Sequence, residues 1–471
     1  MTFQRDLAWR YIDLTYQASV AHQFARYALA LNYSLLPQEV VHEAKRCVLD
    51  ALGCAIGAYE APGRIICEDT VKELGGPPEA TVFCSGLRTS ATNAALVNSF
   101  LVRFLDYNDW GGGGHNSDCL ASVLAVAERE KAAGKDFLTS LVISYEIGER
   151  FKLSLTKPLD EQGWPSKEIR AGLNQPPALG KLMRLNETQI ANAIGLCMSH
   201  TLPMRILDAD REENVMAKNI AFGWAAHDAI LACMLAKRGF TGPVRVIESE
   251  TAGIRKCVLH DEMDLERLTD FSGWRTLDAR FKAMCANGSS HGHMLATLGI
   301  VKEHDLKPED IAAVHIRASA RECRHTTTPA KKYPRNAESA DHSAFYANAL
   351  ITKERAFGPD SIKPEKFTDP VILDLIEKIT VEADPALTRY QATSEIVTKD
   401  GRRFKNRVDV PHGIGDDALT DKELEDKFSE MASKHMRSEQ IKMIFEACWN
   451  LEKLDDAGRL AKLMIFPESN R

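Results

Sequence analysis

The sequence predicts a mainly α protein, in which a large all-helical domain built from residues 1–274 and 413–471 encloses a smaller α+β domain at 275–412. Two observations carry that reading. Apolar residues recur at helical spacing through residues 1–270 and again from Leu419 to Met464, whereas alternating, β-branched stretches appear only after Arg280. Length agrees, because 471 residues exceed what one compact core organises and make two domains the natural expectation.

Taken in order, the first clear element runs from Pro37 to Ala58, where Val41, Ala44, Val48, Ala51, Leu52 and Ala55 fall at three- and four-residue steps and Pro37 is placed to open a helix. Similar segments follow at Ala121 to Lys131, Phe137 to Phe151, Asn186 to Met198 and Trp224 to Lys237, with glycines such as Gly134 and Gly239 read as stops. Ala313 to Ser319 and Lys378 to Ala383 read as strands. Ser394 to Thr398 and Arg403 to Val410 form a hairpin, because Asp400-Gly401 supplies the positive φ of a tight turn.

Composition narrows the function. With 44% hydrophobic and 27% charged residues the chain is of ordinary globular type, and a net charge of -7 gives no attraction for nucleic acid. Eleven scattered cysteines without a C-x-x-C pair fit reduced thiols and the cytoplasm. Arg5, Asp6, Arg10 and Asp13 interrupt what a signal peptide would keep apolar, and no later run reads as a membrane span, so a soluble, unprocessed protein is expected.

Four clusters carry candidate chemistry. Between Leu105 and Asp118, the carboxylates of Asp106 and Asp109 and the imidazole of His115 surround Gly111–Gly114, where the backbone can approach an anion; the plainer reading is a flexible loop capped by Ser117 or Asp118. Lys218 stands just ahead of an apolar helix, where its charge opposes the dipole and asks for an anion, unless it simply extends into water. His291 enters a helix after Asn287-Gly288, where the dipole lowers an imidazole pKa and suits proton transfer. His291 and His293, two apart, face away from each other on a helix, which argues against a metal pair. Asp341-His342-Ser343 with Tyr346 begins another helix, and Tyr346 serves equally well as a core aromatic.

In their order, these clusters resemble the MmgE/PrpD family, which includes 2-methylcitrate dehydratase, cis-aconitate decarboxylase and an iminodisuccinate epimerase. The match rests on Leu105 to Asp109, His115-Asn116-Ser117, Lys218 with Gly223-Trp224-Ala225-Ala226, and His291. It extends from Cys47–Gly53 through Arg238–Pro243 to Asp341-His342-Ser343. The resemblance implies a helical domain with an α+β lid, an active site between them, a homodimer, and no metal or organic cofactor. It assigns catalysis to Asp106, His115, Lys218, His291 and Tyr346, with Asp109, Trp110 and Ser343 contacting substrate. Two positions depart from the pattern: Gly163-Trp164-Pro165-Ser166 lacks a histidine that many members carry, and Trp110 stands where several have threonine.

Reactions of this family build charge beside a carboxylate without a metal to hold it, so cations and proton donors must do so. The expected roles follow: Lys218 and His115 polarise a substrate carboxylate, His291 moves the proton, Asp106 sets the state of a neighbouring imidazole and Tyr346 donates to an oxygen. A hydro-lyase of a small di- or tricarboxylate is the first expectation. An isomerase, epimerase or decarboxylase is the alternative, and a carboxylate-binding protein without turnover is the reading from another class.

Overall fold

A computed structural model describes residues 19–111, 114–159, 167–209, 212–414 and 417–466. The N-terminal segment read above and Gly163–Ser166 lie outside them. Counting helices of six residues or more, the N-terminal half contains α1 (Val20–Ala30), α2 (Gln38–Gly57), α3 (Pro62–Leu74), α4 (Ala91–Phe104), α5 (Leu120–Glu130), α6 (Gly134–Ser154), α7 (Ala171–Leu182), α8 (Glu187–Met198) and α9 (Ala217–Lys237). Local chemistry explains several starts: Pro37 precedes α2, Ser90 accepts from the Asn93 amide to cap α4, and Asn186 and Gln189 form a capping box on α8.

Three details depart from the sequence reading. Gly134 opens α6 instead of ending α5, which stops at Lys131 in the left-handed region (φ 53°); a Cβ on Gly134 would lie 1.7 Å from the Leu451 carbonyl oxygen, so close packing requires the glycine. Helix α9 begins at Ala217, not Trp224, because its polar first turn faces the interior. On length and composition α9 would also cross a membrane, a run the sequence reading does not register; here it packs against α4, α7 and α8 with 61% of that stretch buried, as a core helix does.

A two-residue ladder, β1 (Ala80–Thr81) with β2 (Arg88–Thr89), interrupts the helices and is not anticipated. The main sheet falls where alternation predicts it and contains β3 (Ile311–Ala318), β4 (Ile379–Ala383), β5 (Ala392–Thr398) and β6 (Arg403–Val408) in the order β4-β3-β5-β6. Val314 pairs with Ile379 in parallel and with Ile396 antiparallel, and Ile396 pairs with Phe404 across the hairpin, whose Gly401 has φ 87°. Ala392, Ser394, Ile396 and Thr398 turn one face of β5 inward. That face meets α10 (His291–Glu303), and Thr297 donates to Asn348 of α12 (Ala344–Glu354) and pairs with Ser394. Helices α11 (Ala320–Thr326) and α13 (Pro370–Lys378) fall between β3 and β4 in the chain.

The chain then returns to the first helices through α14 (Asp421–Ala432), α15 (Ser438–Trp449) and α16 (Gly458–Leu463). Helix α14 packs along α2, with Phe428 and Met431 against Gly53, and buried Lys427 donates to Asp50 at 2.7 Å. That contact ties residues 377 apart in sequence.

Candidate functional site

A cavity of about 430 Å³ opens where α4, α9 and the 110–115 loop meet the segment around Lys282 and helix α11. Its floor is built around Asp106. The α4 helix ends at Phe104, and Asp106 follows in the left-handed region (φ 45°), which an aspartate tolerates at modest cost and which turns its carboxylate back beneath the helix end. Oδ1 accepts from Arg103 at 2.5 Å and from Lys282 at 2.8 Å, and lies 3.2 Å from His115 Nε2. Burial opposes ionisation of Asp106, but Arg103, Lys282 and Lys218 outweigh it and hold the carboxyl well below the usual range.

His115 lines the cavity, with Nδ1 donating to the Asp109 carbonyl at 2.8 Å. Burial and the charges of Arg103 and Lys282 hold its pKa well below the ordinary value, although Asp106 pulls the other way. The neutral ring therefore keeps its proton on Nδ1 and presents Nε2 as a base. Protonating Nε2 creates a hydrogen bond to Asp106, so the carboxylate favours the arrival of a proton.

Lys218 also lines the cavity and is 3% exposed. Among the described residues its Nζ makes no hydrogen bond, standing 3.9 Å from Asp106 Oδ2 and 3.7 Å from Asp341 Oδ2, both of which also lack hydrogen bonds there. An ammonium this deeply buried and this poorly satisfied, at the start of a helix whose dipole opposes it, is costly unless an anion completes its shell. Lys282, 1% exposed, is pushed by burial down to about 8 while Asp106 opposes the fall.

The remaining predicted residues divide. Trp110 lines the cavity, its ring lying against Gly288, where a Cβ would come within 2.9 Å, and its buried Nε1 has no hydrogen-bond partner among the described residues. Asp109 points away from the cavity, accepting from Tyr145 at 2.6 Å and from the Ser117 amide at 3.1 Å; it braces the His115 loop rather than contacting a ligand. Burial, with the Asp50 charge, lifts its pKa to about 6. Ser343 caps α12 by accepting from the Tyr346 amide. Tyr346 is the core aromatic of the plainer reading, its hydroxyl donating to the Ser361 carbonyl at 2.5 Å between Phe357 and Phe367. His291 begins α10 as expected but lies behind the cavity wall, fully buried, with Nε2 3.3 Å from the Ala286 carbonyl; burial first and then Lys282 push its pKa to about 3. Of the glycine run, Gly112 and Gly113 lie outside the described residues; Gly111 and Gly114 exchange backbone hydrogen bonds, and Gly111 is needed because a Cβ would meet Glu149 at 2.3 Å.

Arg103 and Lys282 belong to the site without being singled out from sequence, and Asp341 and His342, placed in the fourth cluster without a catalytic role, join them. Arg103 stands three residues before Asp106, the spacing of a helical ion pair, and that is the signal the sequence held. His342 donates from Nδ1 to Asp341, and its Nε2 accepts from Asn287 at 2.9 Å. Among the described residues two triads have metal-ligand proximity, Asp208 with His325 and His342, and Asp106 with Asp341 and His342. Both use His342, whose Nε2 is engaged by Asn287, and the second is crowded by Lys218, Lys282 and Arg103, so the donor set favours an anion over a divalent cation.

Two family models cover most of the chain. Residues 22–266 match the model of the MmgE/PrpD N-terminal domain and residues 284–451 that of the MmgE/PrpD C-terminal domain. The chain is 24% identical to the human (Homo sapiens) cis-aconitate decarboxylase, over 95% of each chain. It is 25% identical to an alkylcitrate dehydratase of a fungal species, over 87% of this chain and 86% of that one. A 2-methylcitrate dehydratase of Salmonella typhi is 26% identical over 47% of this chain and 48% of its own. The chain belongs to the MmgE/PrpD family.

Proposed function

We propose that this MmgE/PrpD protein is a metal-independent lyase that removes the elements of water from a small hydroxy-polycarboxylate. The observation that carries the reading is the buried Lys218 ammonium, which faces the cavity beside the Asp106, His115 and Lys282 cluster without a hydrogen-bonding partner among the described residues. A substrate carboxylate completes its shell and places the adjacent carbon near His115. Nε2 takes the proton from that carbon, the Asp106 carboxylate 3.2 Å away stabilises the imidazolium that results, and Lys218 holds the enolate-like charge. Lys282, with a pKa near neutrality, gives a proton to the departing hydroxide, so that the C–H and C–O bonds break, a C=C bond forms and water leaves. The proton then held by His115 returns through solvent to Lys282. In this scheme His115 takes the proton-transfer role that the sequence reading gave to His291. The α+β part, carrying α11, acts as a lid over the helical part.

Decarboxylation is the second reading, favoured by the nearly full-length match to a decarboxylase. It uses the same carboxylate holder, with CO2 as the leaving group. The test is to incubate the protein with citrate, 2-methylcitrate and cis-aconitate, following the absorbance of the unsaturated acid and the release of CO2. Water loss supports the first reading and CO2 release the second. Thermal stabilisation by these acids without any turnover shows a binding protein and overturns the catalytic proposal.

A further inference from the structure

The cavity has a second group of cations that the reaction described above does not use. Arg321 and Arg324 lie three residues apart on α11, and Arg389 follows β4 in the loop leading to β5; all three are exposed at the mouth, whereas Lys218, Lys282 and Arg103 are buried in the floor. Among the described residues no carboxylate forms an ion pair with Arg321, Arg324 or Arg389, in contrast to Arg103 and Lys282, which share Asp106. The acidic residue between the two arginines, Glu322, is turned inward, bonded to Ser319 and to the Tyr390 amide at 3.2 Å. Like charges at this helical spacing repel.

Arg389 is held in place by aromatic rings. Its guanidinium carbon lies 4.4 Å from the Tyr390 ring centre and 5.9 Å from that of Trp110, and the two rings meet edge to face at 5.1 Å. Such stacking presents the planar donors in a fixed orientation suited to a carboxylate. Trp110 thus forms the wall between floor and mouth, packed on Gly288.

The geometry points to an outer anion subsite formed by Arg321 and Arg324 with Arg389, which holds the substrate carboxylate most distant from the reacting carbon. This rests on the lyase reading for the inner site and adds the residues that select a tricarboxylate over a dicarboxylate. One carboxylate sits on Lys218 at the floor, and another reaches past Trp110 to the arginines. Their exposure leaves them solvated before binding, so their contribution is selectivity for the third charge rather than binding of any acid.

The test uses two unreactive acids, propane-1,2,3-tricarboxylate and 2-methylsuccinate, which share a succinate unit and differ in the third, terminal carboxylate. Isothermal titration of the full chain is compared with R321Q/R324Q and, separately, R389Q. The wild type is expected to bind the tricarboxylate at least about tenfold more tightly than 2-methylsuccinate, and R321Q/R324Q to remove most of that preference while changing 2-methylsuccinate affinity less than about threefold. Equal weakening of both acids, erased by moderate salt, shows diffuse attraction and overturns the subsite, as does a double variant that keeps the preference. If neither acid binds the wild type, the inner carboxylate site falls as well. If both bind and depend on Lys218 while the preference ignores the arginines, only the outer subsite falls.

Discussion

Replacing Lys218 with Met removes the ammonium while keeping an unbranched stem of similar reach. The lost contact is a charge-assisted hydrogen bond to a bound carboxylate, worth about 1.5–3 kcal/mol, so kcat/KM should fall roughly 10- to 150-fold. Stability should move the other way. Lys218 makes no hydrogen bond among the described residues, Asp106 keeps its bonds from Arg103 and Lys282, and the first turn of α9 loses a charge that opposes its dipole by about 0.3–1 kcal/mol. The unfolding midpoint of Lys218→Met should therefore hold or rise. Initial rates and thermal scans on the same preparations check both limbs. Full turnover, or a loss of activity accompanied by an equal loss of folded protein, would show that Lys218 is structural and that the cavity floor does not work as argued.

Three further outcomes are expected. Because Lys282 titrates at about 8, kcat/KM of the free enzyme should fall as pH rises through that value; its folded pKa lies below the ordinary 10.5, so deprotonation favours the folded state and the unfolding midpoint should not drop with the rate. Lys282→Arg, which stays protonated, should abolish that alkaline limb, and its persistence refutes the assignment. Tyr346→Phe removes a hydroxyl bonded to the Ser361 carbonyl and should cost about 1–3 kcal/mol in denaturant titration, with kcat per folded molecule unchanged; a large fall in kcat would return Tyr346 to the chemistry. Prolonged chelation should leave rate and midpoint unaltered, whereas loss of both together with stoichiometric zinc or iron would place a metal at the Asp208, His325 and His342 group.

Legibility of the site followed the range of the interactions. Asp106, His115 and Lys218 could be found in sequence because each sits beside a local signal: a helix end, a glycine run, a helix start. Tyr346 and Ser343 carry the same kind of signal and serve the core and a cap, since a motif fixes where a side chain starts but not what lies opposite it. Lys282 has no local mark. Its role comes from reaching Asp106, 176 residues earlier.

The sequence by itself determined that the protein is mainly helical with a β-containing segment after Arg280, because hydrophobic periodicity is a local record of which face each element buries. It also carried the order of motifs that identifies the family. Tertiary structure alone decided which charged groups share one cavity and in what state. His115 is held neutral and Asp106 ionised because burial strengthens every charge interaction among groups that the fold, and not the chain, brings within 4 Å. The same holds for His291, whose helix start is local but whose place behind the wall is set by how α10 packs on the sheet.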